Sequence, residues 1–278
     1  MARNRQPAAP TLPRSARKAL DELSRPGPHT VLRGELGLVG LPGIVFAPAE
    51  GLGLPAVAFG HDWLQAPDRY LPLLRHLASW GIVVAAPATG RGAIPSHARF
   101  SADLRTALDV CVGVRLGEGR ISVDRRRLGL VGHGMGGGCA VLAAADRLAG
   151  DELVGAVVTL AASETRPSAI AAASSVTVPS LHLAAGKDQV SPPVGNAEPI
   201  AGEWGGPVVL RTLPKANHLG FLSGPGLVDA VLAGKPQPGT ARLARGLVTG
   251  FLLRHLLDDS DLDELASGEV KGTDLQLT

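Results

Sequence analysis

Residues 132–138 read Gly-His-Gly-Met-Gly-Gly-Gly and follow the apolar run 128–131. Two different chemistries use a glycine-rich turn of this kind. In the pattern G-x-S-x-G, a strained turn between a strand and a helix presents a nucleophilic serine, and Gly134 stands here at the serine position. In the pattern G-x-G-x-x-G, which Gly132, Gly134 and Gly137 match, the glycines let the backbone approach a dinucleotide. The rest of the chain must decide between the two.

The dinucleotide interpretation fits the surroundings of the turn poorly. Such a fingerprint normally opens the first strand–helix unit of its domain and is followed by an acidic residue about 20 positions later. Several predicted strands precede Gly132 here, and the candidate acid, Glu164, lies beyond that spacing. Dinucleotide binding therefore remains a remote alternative.

The hydrolase interpretation requires an acid and a histidine after later strands, in the chain order nucleophile, acid, histidine. Asp188 follows the run Ser-Leu-His-Leu-Ala-Ala-Gly, and His218 follows the run Val-Val-Leu-Arg-Thr-Leu-Pro. Asp188 would orient the imidazole of His218, which would act as a general base. We therefore interpret Gly134, Asp188 and His218 as the three positions of a catalytic triad that lacks its nucleophilic side chain.

Strand-like and helix-like segments alternate along the chain, which indicates an α/β fold with a mostly parallel central sheet flanked by helices. Only about sixteen residues separate the predicted strands that end near 161 and begin near 178, so no lid domain is expected. The pattern predicts strands over 31–36, 43–47, 55–60, 82–86, 128–132, 153–161, 178–185 and 208–213, and helices over 70–80, 100–114, 134–148 and 240–257.

Together, these features resemble the α/β-hydrolases, and within them the dienelactone hydrolase-related, cutinase-like branch that includes the polyester (PET) hydrolases. The resemblance covers about residues 40–265 and implies an α/β-hydrolase fold without a cap and the hydrolysis of carboxylic esters. The segments that carry it are 76–84, 122–125, 128–138, 174–180, 186–188, 216–218 and the closing helix with its acidic end.

The resemblance also implies an oxyanion hole built from backbone N–H groups, one from Met135 and one from the loop that holds Trp63. Asp62 departs from the family pattern, because a carboxylate beside that hole would repel an oxyanion unless it were turned away or protonated. The string Gly-His-Asp-Trp at 60–63 also resembles the aspartate-bearing elbow of epoxide hydrolases, but it follows the wrong strand.

His61 and His133 are expected to flank the same cavity. His133 occupies the variable position of the elbow and is interpreted as a packing residue, whereas His61 could hydrogen-bond Asp62 or a ligand. The spacing of the histidines, acids and the two cysteines, Cys111 and Cys139, matches no metal or redox motif. We expect no metal and no cofactor, and we expect both thiols to be free and buried.

Two functions remain open. The first is weak or unconventional ester hydrolysis, with an Asp188–His218 pair that activates water and an oxyanion hole that survives the loss of serine. The second is a non-catalytic pseudoenzyme that binds a small ester, acyl or carboxylate ligand, or a protein partner. The missing side chain at Gly134 favours the non-catalytic pseudoenzyme. The retained acid and histidine favour ester hydrolysis.

The composition limits the class of protein. A net charge of +2 does not favour nucleic acid as the main partner, and no apolar run is long enough to span a membrane. With no secretory signal and two free cysteines, a cytoplasmic location is expected. We divide the chain into a basic, partly disordered tail over 1–30 with a short helix near 15–24, a hydrolase domain over 31–258, and an acidic tail over 259–278.

Overall fold

A nine-stranded sheet forms the centre of this computed structural model, which describes residues 15–114, 117–146, 154–226, 229 and 234–277. The strands are β1 (Val31–Glu35), β2 (Gly43–Pro48), β3 (Gly51–Gly60), β4 (Val83–Pro87), β5 (Ile121–His133), β6 (Val154–Leu160), β7 (Ser180–Ala185), β8 (Val208–Leu213) and β9 (Asp274–Leu277). Their order in the sheet is β1-β2-β4-β3-β5-β6-β7-β8-β9. The pairs β1–β2, β2–β4 and β8–β9 are antiparallel, and every other neighbouring pair is parallel.

Helices cover both faces of this sheet, and the side chains of its central strands alternate between two apolar cores. In β3, Val57 and Phe59 belong to one core, whereas Ala56 and Ala58 belong to the other. The first core also takes residues from α1 (Ala16–Leu23), α2 (Leu71–Ser79), α7 (Pro238–Leu256) and α8 (Asp263–Ser267). The second takes residues from α3 (His97–Gly113), α4 (Met135–Ala145), α5 (Ala169–Ala173) and α6 (Ala197–Gly202). The predicted α/β class with a mostly parallel central sheet is confirmed.

The strand order brings four loops to one edge of the sheet. Parallel strands end at the same edge, so the loops after β3, β5, β7 and β8 lie on one side of the molecule. Strands β3 and β5 are direct neighbours, and Gly60 is paired with Gly132 at their carboxyl ends. This register places the loop that begins at His61 against the turn at Gly134.

Each of the predicted strands and helices has a counterpart, but the starting point of β5 differs from the prediction. The sequence pattern begins this strand at 128, whereas the structure begins it at Ile121. The additional segment, Ile-Ser-Val-Asp-Arg-Arg-Arg at 121–127, has only two apolar residues, Ile121 and Val123, and ends in a run of charged residues. It is held by pairing with the first residues of β3, with shifts in the register.

The structure describes part of each of the two predicted tails. The predicted short helix near 15–24 is present as α1, and it buries Ala16, Ala19 and Leu23 in the first core. At the other end, α8 buries Leu265, and β9 adds a strand to the sheet. The predicted disorder over 1–14 lies outside the described residues.

Within residues 15–114, 117–146, 154–226 and 234–277, none of the helices is both long enough and apolar enough to cross a bilayer.

A buried arginine ties the C-terminal segment to the sheet. The side chain of Arg211 in β8 is fully buried, and its guanidinium donates hydrogen bonds to the carbonyl oxygens of Leu265, Ala266 and Gly268. Burial lowers the pKa of this guanidinium to about 10, so it remains charged at neutral pH. Carbonyl dipoles that converge on a buried cation compensate part of its desolvation cost.

We predict that Arg211→Ala lowers the free energy of unfolding by about 2–4 kcal/mol, because it opens a cavity and leaves three carbonyls without their donor. Urea denaturation measures the loss, and amide hydrogen exchange should accelerate most over residues 263–277. Arg126→Ala is the matched control, since the Arg126 side chain is 84% exposed. Equal effects of the two substitutions would contradict this role of Arg211.

Candidate active site

The turn between β5 and α4 has the geometry expected of a nucleophile elbow. Gly134 has φ 52° and ψ −121°, a left-handed backbone conformation that glycine adopts at little steric cost. Gly136 packs directly against the backbone of Gly60, where a Cβ atom would overlap the carbonyl group of Gly60. The predicted close approach of strand and helix is therefore present, and Gly134 at the tip of the turn has no side chain.

Asp188 and His218 meet at the same edge of the sheet. Asp188 lies in the loop after β7, and His218 begins a short 3-10 turn after β8. The Nδ1–H of His218 donates to Oδ2 of Asp188 over 2.7 Å, and both side chains are almost fully buried. Oδ1 of Asp188 accepts hydrogen bonds from the backbone N–H groups of Val190 and Ser191. The structure thus brings the predicted acid and histidine into direct contact.

The carboxylate of Asp62 lies where a nucleophilic hydroxyl would be expected. Its Oδ2 is 2.9 Å from Nε2 of His218, on the opposite side of the imidazole from Asp188. Its Oδ1 accepts a hydrogen bond of 2.8 Å from the backbone N–H of Met135, the first residue after the elbow. A Cβ atom built on Gly134 would overlap this carboxylate. The Asp62 carboxylate therefore fills the space that a side chain at position 134 would take, and it also accepts the hydrogen bond of the Met135 N–H.

The PET hydrolase-like family model matches residues 52–204, which is more than half of the chain. The chain belongs to the PET hydrolase-like family. The match includes Asp62, Gly134 and Asp188, and it ends before His218. No curated protein matches the sequence significantly.

Membership of the PET hydrolase-like family supports the ester-hydrolase class and the α/β-hydrolase fold. The closer kinship with dienelactone hydrolases stays a prediction. The glycine at position 134 and the carboxylate that fills its space are features of this chain's own site.

The two carboxylates that flank His218 determine its charge. Burial disfavours the imidazolium, but hydrogen bonds and charge from Asp188 and Asp62 raise the pKa of His218 to about 9. Burial likewise disfavours the Asp62 carboxylate, but its hydrogen bond to His218 and the charge of that residue lower the pKa of Asp62 to about 2. At neutral pH the resting site therefore holds an imidazolium between two carboxylates, and His218 has no free lone pair with which to act as a base.

A second chain of hydrogen bonds fixes the backbone of Asp62. The Nε2–H of His133 donates to the carbonyl oxygen of His218, so its Nδ1 accepts the hydroxyl proton of Tyr70. The Tyr70 oxygen in turn accepts the backbone N–H of Asp62 over 3.1 Å. Burial lowers the pKa of His133 to about 4, which agrees with this neutral tautomer. His133 is thus a packing residue that also positions Asp62 through Tyr70, a residue that carries no motif in the sequence.

His61 and Trp63, the neighbours of Asp62 in the predicted oxyanion loop, do not contact the Met135 N–H. His61 is fully buried, and its ring nitrogens lie 2.8 Å from the carbonyl oxygens of Asp62 and Thr89. Trp63 is 37% exposed, and its indole N–H donates to the carbonyl oxygen of Ala93. The structure therefore places His61 beneath the loop and Trp63 at its rim, while Asp62 contacts the Met135 N–H.

The described residues also include one set of potential metal ligands. Asp62, His133 and His218 each offer a ligand atom, and these atoms lie within 4.8 Å of one another. All four histidine nitrogens involved already have hydrogen-bond partners in the protein, so a metal ion would have to displace some of them.

Dinucleotide binding meets a similar obstacle, because the Met135 N–H at the glycine turn already donates its hydrogen bond to Asp62.

Three other residues carry side chains that could serve as nucleophiles. The Oγ of Ser191 is hydrogen-bonded to the Oγ of Ser163. Cys139 is buried in α4, and burial raises the pKa of its thiol to about 12. Cys111 is likewise buried, with its pKa raised to about 12. A thiol with such a pKa supplies almost no thiolate at neutral pH.

The Asp62–His218 ion pair predicts a specific dependence of stability on pH. A raised pKa of His218 contributes stability that is complete below pH 6.5 and is lost as the pH rises through about 9. A lowered pKa of Asp62 contributes stability that is present above pH 3.8 and is lost as the pH falls through about 2. The wild type should therefore exceed Asp62→Asn in free energy of unfolding most strongly between these limits, by on the order of 2 kcal/mol.

Urea denaturation across the pH range measures this difference. It should shrink steadily between pH 6.5 and 9, where His218 loses its proton. Asp124→Asn, which alters a surface ion pair with Arg126, is the control and should show no such decline over that range. A difference for Asp62→Asn that stays constant from neutral to alkaline pH would contradict the assigned ion pair.

Proposed function

We propose that this chain is a hydrolase whose activity on carboxylic esters is weak, because a carboxylate, Asp62, replaces the serine hydroxyl of its family. The observation that carries the proposal is the Asp62 carboxylate between His218 Nε2 and the Met135 N–H. These are the two groups that an acyl-serine mechanism would use as base and as oxyanion donor. The expected ligand is a small molecule rather than a nucleic acid.

The charge of His218 is one reason to expect that ester hydrolysis is slow. A histidine that is protonated at neutral pH cannot take a proton from water, and its pKa is raised to about 9 by the carboxylates beside it. The Met135 N–H is also unavailable to an external oxyanion as long as Asp62 accepts it. Ester hydrolysis through a water activated by Asp188 and His218 would therefore require Asp62 to move away.

A second candidate function, non-catalytic binding of a carboxylate or acyl ligand, has one observation in its favour. The site already holds a carboxylate with two complementary donors, and Asp62, Met135 and His218 are each less than 5% exposed. However, an external ligand would have to displace the carboxylate of Asp62 from both donors. Binding of a protein partner has no such supporting contact, and a cytoplasmic location remains an expectation.

The proposal predicts that Gly134→Ser alone gains little esterase activity, because the new side chain would overlap the Asp62 carboxylate. Asp62→Ala combined with Gly134→Ser should gain activity, since it frees the Met135 N–H, lowers the pKa of His218 and supplies the hydroxyl. A triad is typically worth several orders of magnitude in kcat, so a gain of about 100-fold or more over wild type is expected. Hydrolysis of p-nitrophenyl acetate and butyrate measures it.

The matched controls are the single variant Asp62→Ala and the triple variant that adds His218→Ala. Both should hydrolyse these esters more slowly than the double variant, because the single variant lacks the serine hydroxyl and the triple variant lacks the histidine base. A folded double variant that is no more active than wild type would contradict the proposal that the site is an ester-hydrolase scaffold. High wild-type activity that survives Asp62→Ala would contradict the role of Asp62.

A further inference from the structure

A cavity of about 520 Å³ lies among the elements that cover the first core. Three parts of the chain line it, namely the segment 24–31, which joins α1 to β1, helix α2 and helix α7. None of the described residues that line it belongs to the Asp62–His218 site. A volume of this size is within the range of small-molecule binding sites.

Hydrogen bonds to the last turn of α2 fix the wall of this cavity that the segment 24–31 forms. The backbone N–H of Gly27 donates to Oγ of Ser79 over 2.8 Å. The backbone N–H of His29 donates to the carbonyl oxygen of Ser79 over 3.1 Å. A Cβ atom at Gly27 would overlap that carbonyl group, so the close approach requires glycine. The wall is therefore held in place without a ligand.

The cavity is lined by cations that lack matching anions. Arg75 comes from α2 and Arg245 from α7, and within the part of the chain that the structure describes neither guanidinium has an ion pair. The described lining residues include no aspartate and no glutamate. Asp21 on the neighbouring α1 pairs with Arg242 instead, over 3.6 Å. Two guanidinium groups of this kind at one cavity favour an anion as its occupant.

The surroundings of Arg245 strengthen this preference. Burial, and then the charge of Arg242, lower the pKa of Arg245, and a bound anion would counteract both effects. Burial also lowers the pKa of His76 to about 4, so this histidine is neutral at neutral pH. Its Nε2–H donates to the carbonyl oxygen of Leu23. The lining of the cavity therefore contains two arginine charges to which His76 adds none.

The end of α2 at the cavity opposes an anion only weakly. A helix presents carbonyl oxygens at its carboxyl end, which together amount to about half a negative elementary charge. Here the carbonyl oxygens of Leu77, Ala78 and Ser79 already accept backbone N–H groups. The two whole charges of the arginines outweigh this helix end.

We propose that this cavity binds a small organic phosphate monoester through Arg75 and Arg245. A phosphate monoester carries close to two negative charges at neutral pH, which matches the two guanidinium groups. Its oxygens point in tetrahedral directions, so arginines from two different helices can each bind it. A carboxylate carries one charge and two oxygens in a single plane. The inference concerns a second site and does not rest on the proposed ester hydrolysis.

The rest of the lining indicates an organic group beside the phosphate. Pro26, Val31 and Pro72 contribute apolar surface to the same cavity as the arginines. A phosphate ion by itself would fill only part of a volume of about 520 Å³. An alkyl or aryl group on the phosphate would cover these side chains, and the apolar area removed from water would add affinity.

Isothermal titration calorimetry of the full chain with phenyl phosphate tests the inference. We expect saturable binding at one site, with an affinity higher than that for inorganic phosphate. Phenol and benzoate should bind about tenfold more weakly or less, because they lack the doubly charged phosphate. In amide NMR spectra, the signals of Gly27, His29 and Ser79 should shift on binding, and those of Asp62 and Met135 should not.

The variants Arg75→Gln and Arg245→Gln should each lower the affinity for phenyl phosphate about tenfold, because each loses charge-assisted hydrogen bonds to the phosphate. Arg126→Gln is the matched control, since it removes the same charge from an exposed side chain and should leave the affinity unchanged. Neither Arg75 nor Arg245 has an ion pair within the described chain, so both variants should unfold in urea close to the wild type.

A wild type that does not bind phenyl phosphate would overturn the inference. Equal weakening by all three substitutions would also overturn it, because it would indicate general attraction to a basic protein. Amide shifts at Asp62 and Met135 in place of Gly27 and His29 would contradict the assigned cavity. Benzoate or phenol that binds as tightly as phenyl phosphate would reject the phosphate class of ligand.

Discussion

A buried ionic hydrogen bond between Asp62 and His218 determines what this site can do. Buried charges are costly unless they are paired and hydrogen-bonded. Here Asp62 has the imidazolium on one oxygen and the Met135 N–H on the other, while His218 has a carboxylate on each ring nitrogen. The arrangement is satisfied as it stands, which explains how it can exist without a side chain at Gly134.

The fold makes this contact possible through the adjacency of β3 and β5. Gly60 and Gly132 are paired in the sheet, and Gly136 lies against the backbone of Gly60. At such a distance the residue two positions after Gly60 reaches the turn at Gly134 with a short side chain. A side chain at position 134 and the carboxylate of Asp62 in its present position exclude each other sterically.

Much of the fold followed from the sequence because the strands are continuous apolar runs and the helices between them are periodic. Asp188 and His218 could be named because they follow strands in an established chain order. The position of the Asp62 carboxylate could not, because it depends on the register of β3 against β5 and on the rotamer of one side chain. The pattern identified Asp62 as an obstruction to an oxyanion, and the structure adds that it is the hydrogen-bond partner of His218.

The packed ends of the chain illustrate the same limit. Residues 16–23 are rich in charge, and only the contacts of Ala16, Ala19 and Leu23 with the first core reveal that they are packed. Similarly, Arg211 lies in a strand that reads as apolar, and its carbonyl partners come from a segment more than fifty residues later. Local patterns describe elements well, but they do not encode which distant backbone groups a buried charge will meet.

The most direct test of the central claim is the protonation of His218, measured by the pH dependence of its imidazole nitrogen NMR signals in the wild type and in Asp62→Asn. The account predicts an imidazolium that persists through neutral pH, with a pKa of about 9 in the wild type and a clearly lower pKa in the variant. A His218 that is neutral at pH 7, with a pKa unaffected by Asp62→Asn, would contradict it.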